Sequence, residues 1–329
     1  MSAAAAPYAD LDPDRILAAV ESLGLQADGR VLALNSYENR VYRIGLEGHA
    51  PLVAKFYRPG RWSDAAIGEE HAFAAELAAA DLSVVPPLPL GTPPRTLHAV
   101  HGHRLALFPL KGGHAPETGD REVLRHLGRV LGRLHAVGDA RPFAHRPVLD
   151  IEGFGVAPVE TLLEQGWLPD DIEGNFTTLA EALLDHVESR WDAVPDLHVL
   201  RLHGDCHPGN ILWRDGQAHF VDLDDCLSGP AVQDLWMLAG RREDSARPLR
   251  WLLEGYEEFR RFDRRELALV EPLRALRLLH FNGWIARRWA DPAFPAAFPW
   301  FEERRYWESV IAQMQEQLAA LQEPVVVPE

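Results

Sequence analysis

Cysteine is almost absent from this chain: two residues, Cys206 and Cys226, in 329. So few thiols cannot supply a disulfide framework for a chain of this size, and they point to a reducing, cytoplasmic setting. Long apolar runs are missing as well. No uninterrupted stretch approaches the roughly 18 residues that a membrane helix requires. The start, MSAAAAPYADLDPDR, lacks the basic-then-apolar order of a signal peptide. The chain is therefore expected to be soluble and cytoplasmic. Basic charge is also scarce. Lys and Arg number 33 against 49 Asp and Glu, a formal net charge of −16. Such a surface repels nucleic acid and anionic membrane, because phosphate backbones are held by clustered Lys and Arg. Acidity of this kind serves solubility, and it also suits an acceptor site for a cationic substrate.

What is present describes a folded protein. Apolar residues make up 47% and charged residues 25%, the balance of a globular chain with a sizeable core. The length suggests two lobes. Residues 1–12 read as a mobile leader, followed by a short helix capped by Asp12 or Asp14. Apolar or alternating runs at 31–46, 52–57, 95–102 and 103–110 read as strands, mostly joined by hairpins. Between them, 63–82 is helical with Ser63 as N-cap, and the Pro-rich 84–95 is an extended connection. From about residue 111 the pattern turns helical, with helices expected at 120–139, 175–191, 246–261 and 264–289. The exception is 199–227, two short strands flanking a loop, and the end, LQEPVVVPE, reads as a frayed tail. The expected fold is α+β and bilobal. A small antiparallel-sheet N-terminal lobe with one inserted helix spans 1–108, and a larger, mainly helical C-terminal lobe spans 109–329.

The chemistry concentrates in His203-Gly204-Asp205-Cys206-His207-Pro208-Gly209-Asn210, followed by Val221-Asp222-Leu223-Asp224-Asp225. Phosphoryl transfer needs a carboxylate to orient the acceptor hydroxyl, ligands for Mg²⁺, and neutralisation of the phosphate oxygens. Mg²⁺ is commonly held by one or two protein oxygens together with substrate phosphates. Asp205 is the candidate base, and Asn210 and Asp222 are the candidate metal ligands. The loop alone also admits a polar turn in which His203 and His207 are satisfied partners, or a zinc site. Zinc requires tetrahedral convergence, and no obvious fourth ligand is at hand.

Transfer from ATP further asks for a lysine on the α- and β-phosphates and a glutamate that positions it. Lys55, the first lysine in the chain, lies in the apolar strand LVAKFY. Glu70 is preferred to Glu69 as its partner, because Phe73 and Leu77 then share its helical face. The polar turn Asn35-Ser36-Tyr37-Glu38-Asn39 offers small residues and backbone N–H groups to phosphate, with Ser36 as a nucleotide contact. Backbone groups near Phe108 and Leu110 are expected to read the adenine edge, with Val53 and Ile211 or Phe220 around the ring. Cys206, beside the base, is either a redox switch or a small space-filling residue. A reactive thiol needs exposure and a lowered pKa.

The loop pattern with its downstream Asp resembles the aminoglycoside phosphotransferase and choline kinase group, which shares the protein-kinase fold. Further blocks narrow the match. They are 34–42 (LNSYENRVY), 53–59 (VAKFYRP), 222–225 (DLDD), 229–237 (GPAVQDLWM) and 288–295 (RWADPAFP), and they are similar to the bacterial stress response kinase A family. The resemblance implies a cytosolic, monomeric Ser/Thr protein kinase linked to stress, itself a phosphoprotein, that uses ATP and Mg²⁺ on a protein substrate. It implies Asp205 as proton acceptor, Asn210 and Asp222 as magnesium ligands, and Ser36 as a nucleotide contact. Leu223 follows Asp222 where a protein kinase has its switch phenylalanine, which weakens the expectation of activation-loop control. The alternative is a small-molecule kinase acting on an amino alcohol or an aminoglycoside-like acceptor.

Overall fold

The computed structural model describes residues 7–327. Residues 1–6 of the expected leader lie outside them. The rest of the leader is tied down, contrary to expectation: Tyr8 is buried, and its hydroxyl donates to the Phe56 carbonyl at 3.1 Å. Asp12 caps α1 (Pro13–Glu21) by accepting from the Arg15 N–H at 2.8 Å, and Pro13 in the first turn removes a donor the helix could not use.

Five antiparallel strands follow: β1 (Ala27–Ala33), β2 (Arg40–Leu46), β3 (His49–Tyr57), β4 (His98–Val100) and β5 (His103–Pro109), in the order β1-β2-β3-β5-β4. Helix α2 (Asp64–Ala79) is inserted between β3 and β4, with Ser63 Oγ accepting from the Ala66 N–H at 3.1 Å. The two-residue period of a strand gives β3 two different faces. Leu52, Ala54 and Phe56 pack with Leu105, Leu107 and α1 in one core. Lys55 and Tyr57 point the other way, where Ala106 and Ile67 of α2 meet Tyr57. Phe73, Ala74 and Leu77 of α2 join the large core of the helical part, so α2 belongs to both halves. Strand β5 runs through Pro109, one residue past the boundary expected at 108/109.

The helical part contains α3 (Arg121–Gly138), α4 (Ala157–Glu164), α5 (Asp170–Asp192), α6 (Gln233–Trp236), α7 (Ala246–Tyr256), α8 (Val270–Arg288), α9 (Ala293–Ala297) and α10 (Arg304–Gln322). Segment 199–227 carries more strand than expected. β6 (Leu200–Leu202) pairs with β9 (Leu227–Gly229), and β7 (Ile211–Arg214) forms a hairpin with β8 (Gln217–Phe220). Helices α4, α6, α9 and α10 were not expected from the sequence. The approach to α4 carries Gly153 and Gly155 and resembles a loop, but Pro158 sits in the first turn of α4, where proline is tolerated. The first residues of the tail are held rather than frayed: Arg190 donates to the carbonyls of Leu321 and Glu323 at 2.8 and 2.9 Å, and Pro328 and Glu329 lie outside the described residues. Among the described residues, no helix is long and apolar enough to cross a membrane.

Helices α3 and α7 meet backbone to backbone. A Cβ on Gly128 would fall 2.0 Å from the Leu252 carbonyl oxygen, and one on Gly255 would fall 2.0 Å from that of Arg125. This contact brings His135 of α3 to the Tyr256 hydroxyl of α7, at 2.9 Å from Nδ1. Gly128→Ala is expected to lower unfolding free energy by about 2–3 kcal/mol, because backbone must be displaced. Gly174→Ala, on the exposed side of α5 with open space around it, serves as control and should be neutral or slightly stabilising. Urea midpoints of the two variants decide; equal midpoints would contradict the close approach.

Candidate active site

The loop between β6 and β7 is fixed from below by one carboxylate. Asp234, fully buried on α6, accepts from the His203 N–H at 2.8 Å and from the Gly204 N–H at 2.9 Å. His135 Nε2 meets the same carboxylate at 3.1 Å, and Gln233 donates to the Gly204 carbonyl at 2.8 Å. Gly204 has φ +87°, and a Cβ there would fall 2.1 Å from the Asp225 carbonyl oxygen, so only glycine fits. His203 bonds the Val221 carbonyl through Nε2 at 2.9 Å. Above this anchor, the Asn210 amide donates to the Asp205 backbone oxygen at 3.0 Å and to its carboxylate at 3.3 Å. Arg277 of α8 donates to the other Asp205 oxygen at 2.9 Å. Burial pushes the Asp205 carboxyl up, but the His207 hydrogen bond and the Arg277 charge outweigh it and hold the group well below the usual carboxylate range.

Lys55 reaches the same region from the sheet. Its ammonium lies 2.9 Å from Asp224, 3.3 Å from Asp222 and 3.3 Å from Glu70, and the residue is only 5% exposed. Burial disfavours the ammonium, but Asp224 and Glu70 overcome this and hold its pKa well above the ordinary lysine value. Asp224 is the central carboxylate: it also accepts from Asn39 at 3.0 Å and from Arg61. Glu69 faces elsewhere and caps the loop 144–146 by accepting three backbone N–H groups. Asp222 stands at φ +59°, half-exposed, two residues after the end of β8.

The chain thus brings Lys55, Glu70, Asp222 and Asp224 into one contact group, and the Val221 N–H donates to the Asn210 carbonyl at 3.0 Å, next to Asp222 in sequence. Ser36 lies in the turn whose Asn39 donates to Asp224. Phe108 pairs with Val53 in the sheet, and Leu110 follows the end of that strand. Ile211 and Phe220 differ from expectation: both are fully buried in the large core, which leaves Val53 as the half-buried member of the proposed adenine wall. Cys206 and Cys226 are fully buried and burial pushes both thiols up, so they fill space. Among the described residues, no group of three or more His, Cys, Asp or Glu is arranged to hold a metal, so the zinc reading has no support. A magnesium bound partly by phosphates needs less. The Asn210 amide nitrogen is engaged with Asp205, which leaves its oxygen for a cation beside half-exposed Asp222. Sequence reading missed Asp224, Asp234, Arg61 and Arg277. Asp234 had a signal, a lone acid within the apolar run AVQDLWM; nothing local marks Arg277.

A second buried chain supports Lys55 from behind. Tyr57 donates to Glu70 at 3.1 Å, His71 Nε2 lies 2.8 Å from the Tyr57 oxygen, and His71 Nδ1 lies 2.8 Å from Thr96 Oγ1. A neutral His71 satisfies both ring nitrogens, donating from Nε2 to Tyr57 and accepting at Nδ1 from Thr96. Burial, reinforced by the Lys55 charge, holds its pKa down at about 3 against an ordinary 6.5. Between these values the unfolded chain binds the extra proton, so stability is lost as pH falls below 6.5. His71 is expected to contribute an acid slope of about 1.4 kcal/mol per pH unit. Urea unfolding at pH 7, 6 and 5 should show that slope reduced in His71→Gln; parallel profiles would mean that His71 is protonated in the fold.

Comparison with known proteins agrees with this architecture. Residues 30–270 match the family described as phosphotransferase enzyme family. Stress response kinase A of Escherichia coli K12 is 42% identical over 325 residues, covering 98% of both chains. The serine/threonine protein kinase RdoA of Salmonella typhimurium LT2 is 42% identical over 318 residues, covering 96% of this chain and 95% of that one. Among solved structures, the amicoumacin kinase hAmiN, in complex with AMP-PNP, Ca²⁺ and its ligand, superposes with a TM-score of 0.71 at 17% identity, covering 96% and 95% of the two chains. A microcompartment-associated aminopropanol kinase superposes with a TM-score of 0.68 at 19% identity, covering 94% and 99%. At such identities these two speak to the fold alone. The chain belongs to the phosphotransferase enzyme family and, within it, to the stress response kinase A family, and it is a kinase.

Proposed function

We propose that the chain is an ATP- and Mg²⁺-dependent Ser/Thr protein kinase of a stress response, which moves the γ-phosphate to a protein hydroxyl. The observation that carries the reading is the convergence of Lys55 on Asp222, at 3.3 Å, beside a loop in which Asn210 holds Asp205. In this reading, Ser36 and the turn around it receive the phosphates, and Lys55, held by Glu70, pairs with the α- and β-phosphates. The backbone near Phe108 and Leu110 receives the base. Asp205 accepts the proton of the acceptor hydroxyl as the oxygen–phosphorus bond forms and the bond to ADP breaks. Asn210 and Asp222 would hold magnesium, which supplies charge neutralisation on the phosphate oxygens when bound.

The likeness to RdoA, named a serine/threonine protein kinase, supports a protein acceptor. So does the charge beside the base. Arg277 occupies one Asp205 oxygen at 2.9 Å. An ammonium-bearing acceptor would meet a guanidinium there, which like-charge repulsion disfavours. The second reading, a kinase of amino alcohols or aminoglycoside-like molecules, rests on the fold shared with the amicoumacin and aminopropanol kinases.

The test is transfer of labelled γ-phosphate from MgATP to the protein itself, to a generic protein acceptor, or to a pool of amino alcohols. Label on Ser or Thr is expected, reduced by at least about 100-fold in Asp205→Asn. Label confined to the amino alcohols would move the enzyme to the second reading, and undiminished label in Asp205→Asn would remove Asp205 from the role of base.

A further inference from the structure

The block 288–295, RWADPAFP, takes no part in the chemistry above, yet it encloses one of the most buried carboxylates in the protein. Asp291 follows α8, its side chain is 1% exposed, and it caps α9 by accepting from the Ala293 N–H at 3.1 Å. Two arginines from the sheet end on it. Arg40 donates to both carboxylate oxygens, at 2.7 and 2.9 Å, across a separation of 251 residues. Arg58 donates to one of them at 2.6 Å.

Both arginines hold the turn between β1 and β2 at the same time. Arg58 donates to the Glu38 carbonyl at 3.0 Å and approaches that of Tyr37 at 3.4 Å, while its own N–H donates to Asn39 Oδ1 at 3.0 Å. Arg40 donates to the Tyr37 carbonyl at 3.2 Å. A trans peptide sets each N–H opposite the preceding C=O. Carbonyls of Tyr37 and Glu38 turned onto the arginines therefore aim the N–H groups of Glu38 and Asn39 away from them. Neighbouring contacts tie the same turn to α8: Glu38 accepts from Trp284 Nε1 at 2.6 Å and from Arg288 Nε at 3.0 Å. Tyr37 meets the Phe298 ring at a centroid distance of 5.1 Å.

We propose that Asp291 is a positioning residue for the nucleotide-binding turn, acting through Arg40 and Arg58 to orient its backbone N–H groups toward the phosphates. This rests on the reading of that turn as the phosphate site. A planar guanidinium suits the task, because its fixed fork binds a carboxylate and a peptide carbonyl together. Asp291→Asn keeps the shape and the α9 cap but turns one oxygen into a donor facing an arginine.

The experiment uses the full-length chain and measures MgATP binding by calorimetry without acceptor, together with KM for ATP, KM for the acceptor, and kcat at saturating ATP. Asp291→Asn is expected to raise the Kd and KM for ATP by about tenfold, with kcat and acceptor KM within about twofold. Arg40→Lys, which retains the charge on a partly exposed side chain but loses the fork, should shift the same two constants by less, and it carries the test if Asp291→Asn does not fold. A loss of thermal stability with unchanged ATP affinity in either variant would assign Asp291 a purely structural role and overturn the proposal. A fall in kcat at constant ATP KM would overturn it too. Wild-type protein that binds no MgATP would overturn the reading of the turn, and this proposal with it.

Discussion

An ammonium group taken out of water into an apolar strand face is the constraint around which this molecule is organised. Lys55 is 5% exposed, and an isolated charge so placed would lose its proton or unfold its surroundings. It is retained because carboxylates arrive from both halves of the chain, Glu70 from α2 and Asp222 and Asp224 from the segment after β8. Such a buried cluster contributes little net stability beyond what apolar side chains would give. Breaking it by removing one member is costly, since the remainder is left buried and uncompensated. The cluster therefore specifies arrangement: the sheet and the helical part meet in the geometry that brings opposite charges together.

The same logic repeats below the cleft with a carboxylate in the central place. Asp234 is fully buried and holds the start of the 203–210 loop by two backbone donors. Its position depends on His135, which depends on Tyr256, and those two meet only because Gly128 and Gly255 let α3 and α7 approach. Packing far from the chemistry thus sets the height of Asp205 above its support. In the proposed function, where Asp205 is the base, a displacement of even an ångström at this point is enough to misalign it with its acceptor. Core and site are consequently one mechanical object, joined through hydrogen bonds whose partners are fully enclosed.

What could be read from sequence and what could not divide along contact distance. Asp205, Asn210 and Asp222 stood out because phosphoryl-transfer chemistry uses those residue types at short spacing, and Lys55 because a lone lysine in an apolar strand needs partners. The structure gives Lys55 three carboxylates and sets Asn210 on Asp205, while their roles belong to the proposal. Glu70 was separable from Glu69 by helical phase alone, since Phe73 and Leu77 share its face and reach the large core. The sheet and α2 followed from alternation and from Ser63 as a cap. Asp224, Asp234 and Arg277 were missed because their meaning lies in partners distant along the chain. Arg277, for example, meets a residue 72 positions away, and no local pattern records that. Tyr8 and the first residues of the tail differ from expectation for the same reason, since their order comes only from what they touch.

The choice of basic residue carries its own information. Lys55 and Lys111 are the only lysines among the 33 basic side chains. At the contacts that join the sheet to the helical part, arginine is used wherever two oxygens must be held at once: Arg40 on both oxygens of Asp291, Arg58 on Asp291 and the Glu38 carbonyl, Arg61 on Asp224 and Asp225. A guanidinium does this well because it is planar, permanently charged and pre-organised as a fork. The buried Lys55 instead places a compact ammonium against three carboxylates from different segments, with the Tyr57 ring centroid 4.7 Å from its nitrogen. A rotatable ammonium with three donors can share itself among partners that arrive from separate elements, whereas a guanidinium offers its donors in one rigid plane. Lysine thus occupies a buried position where one charge serves three acids, and arginine the positions where two oxygens are clamped to each other.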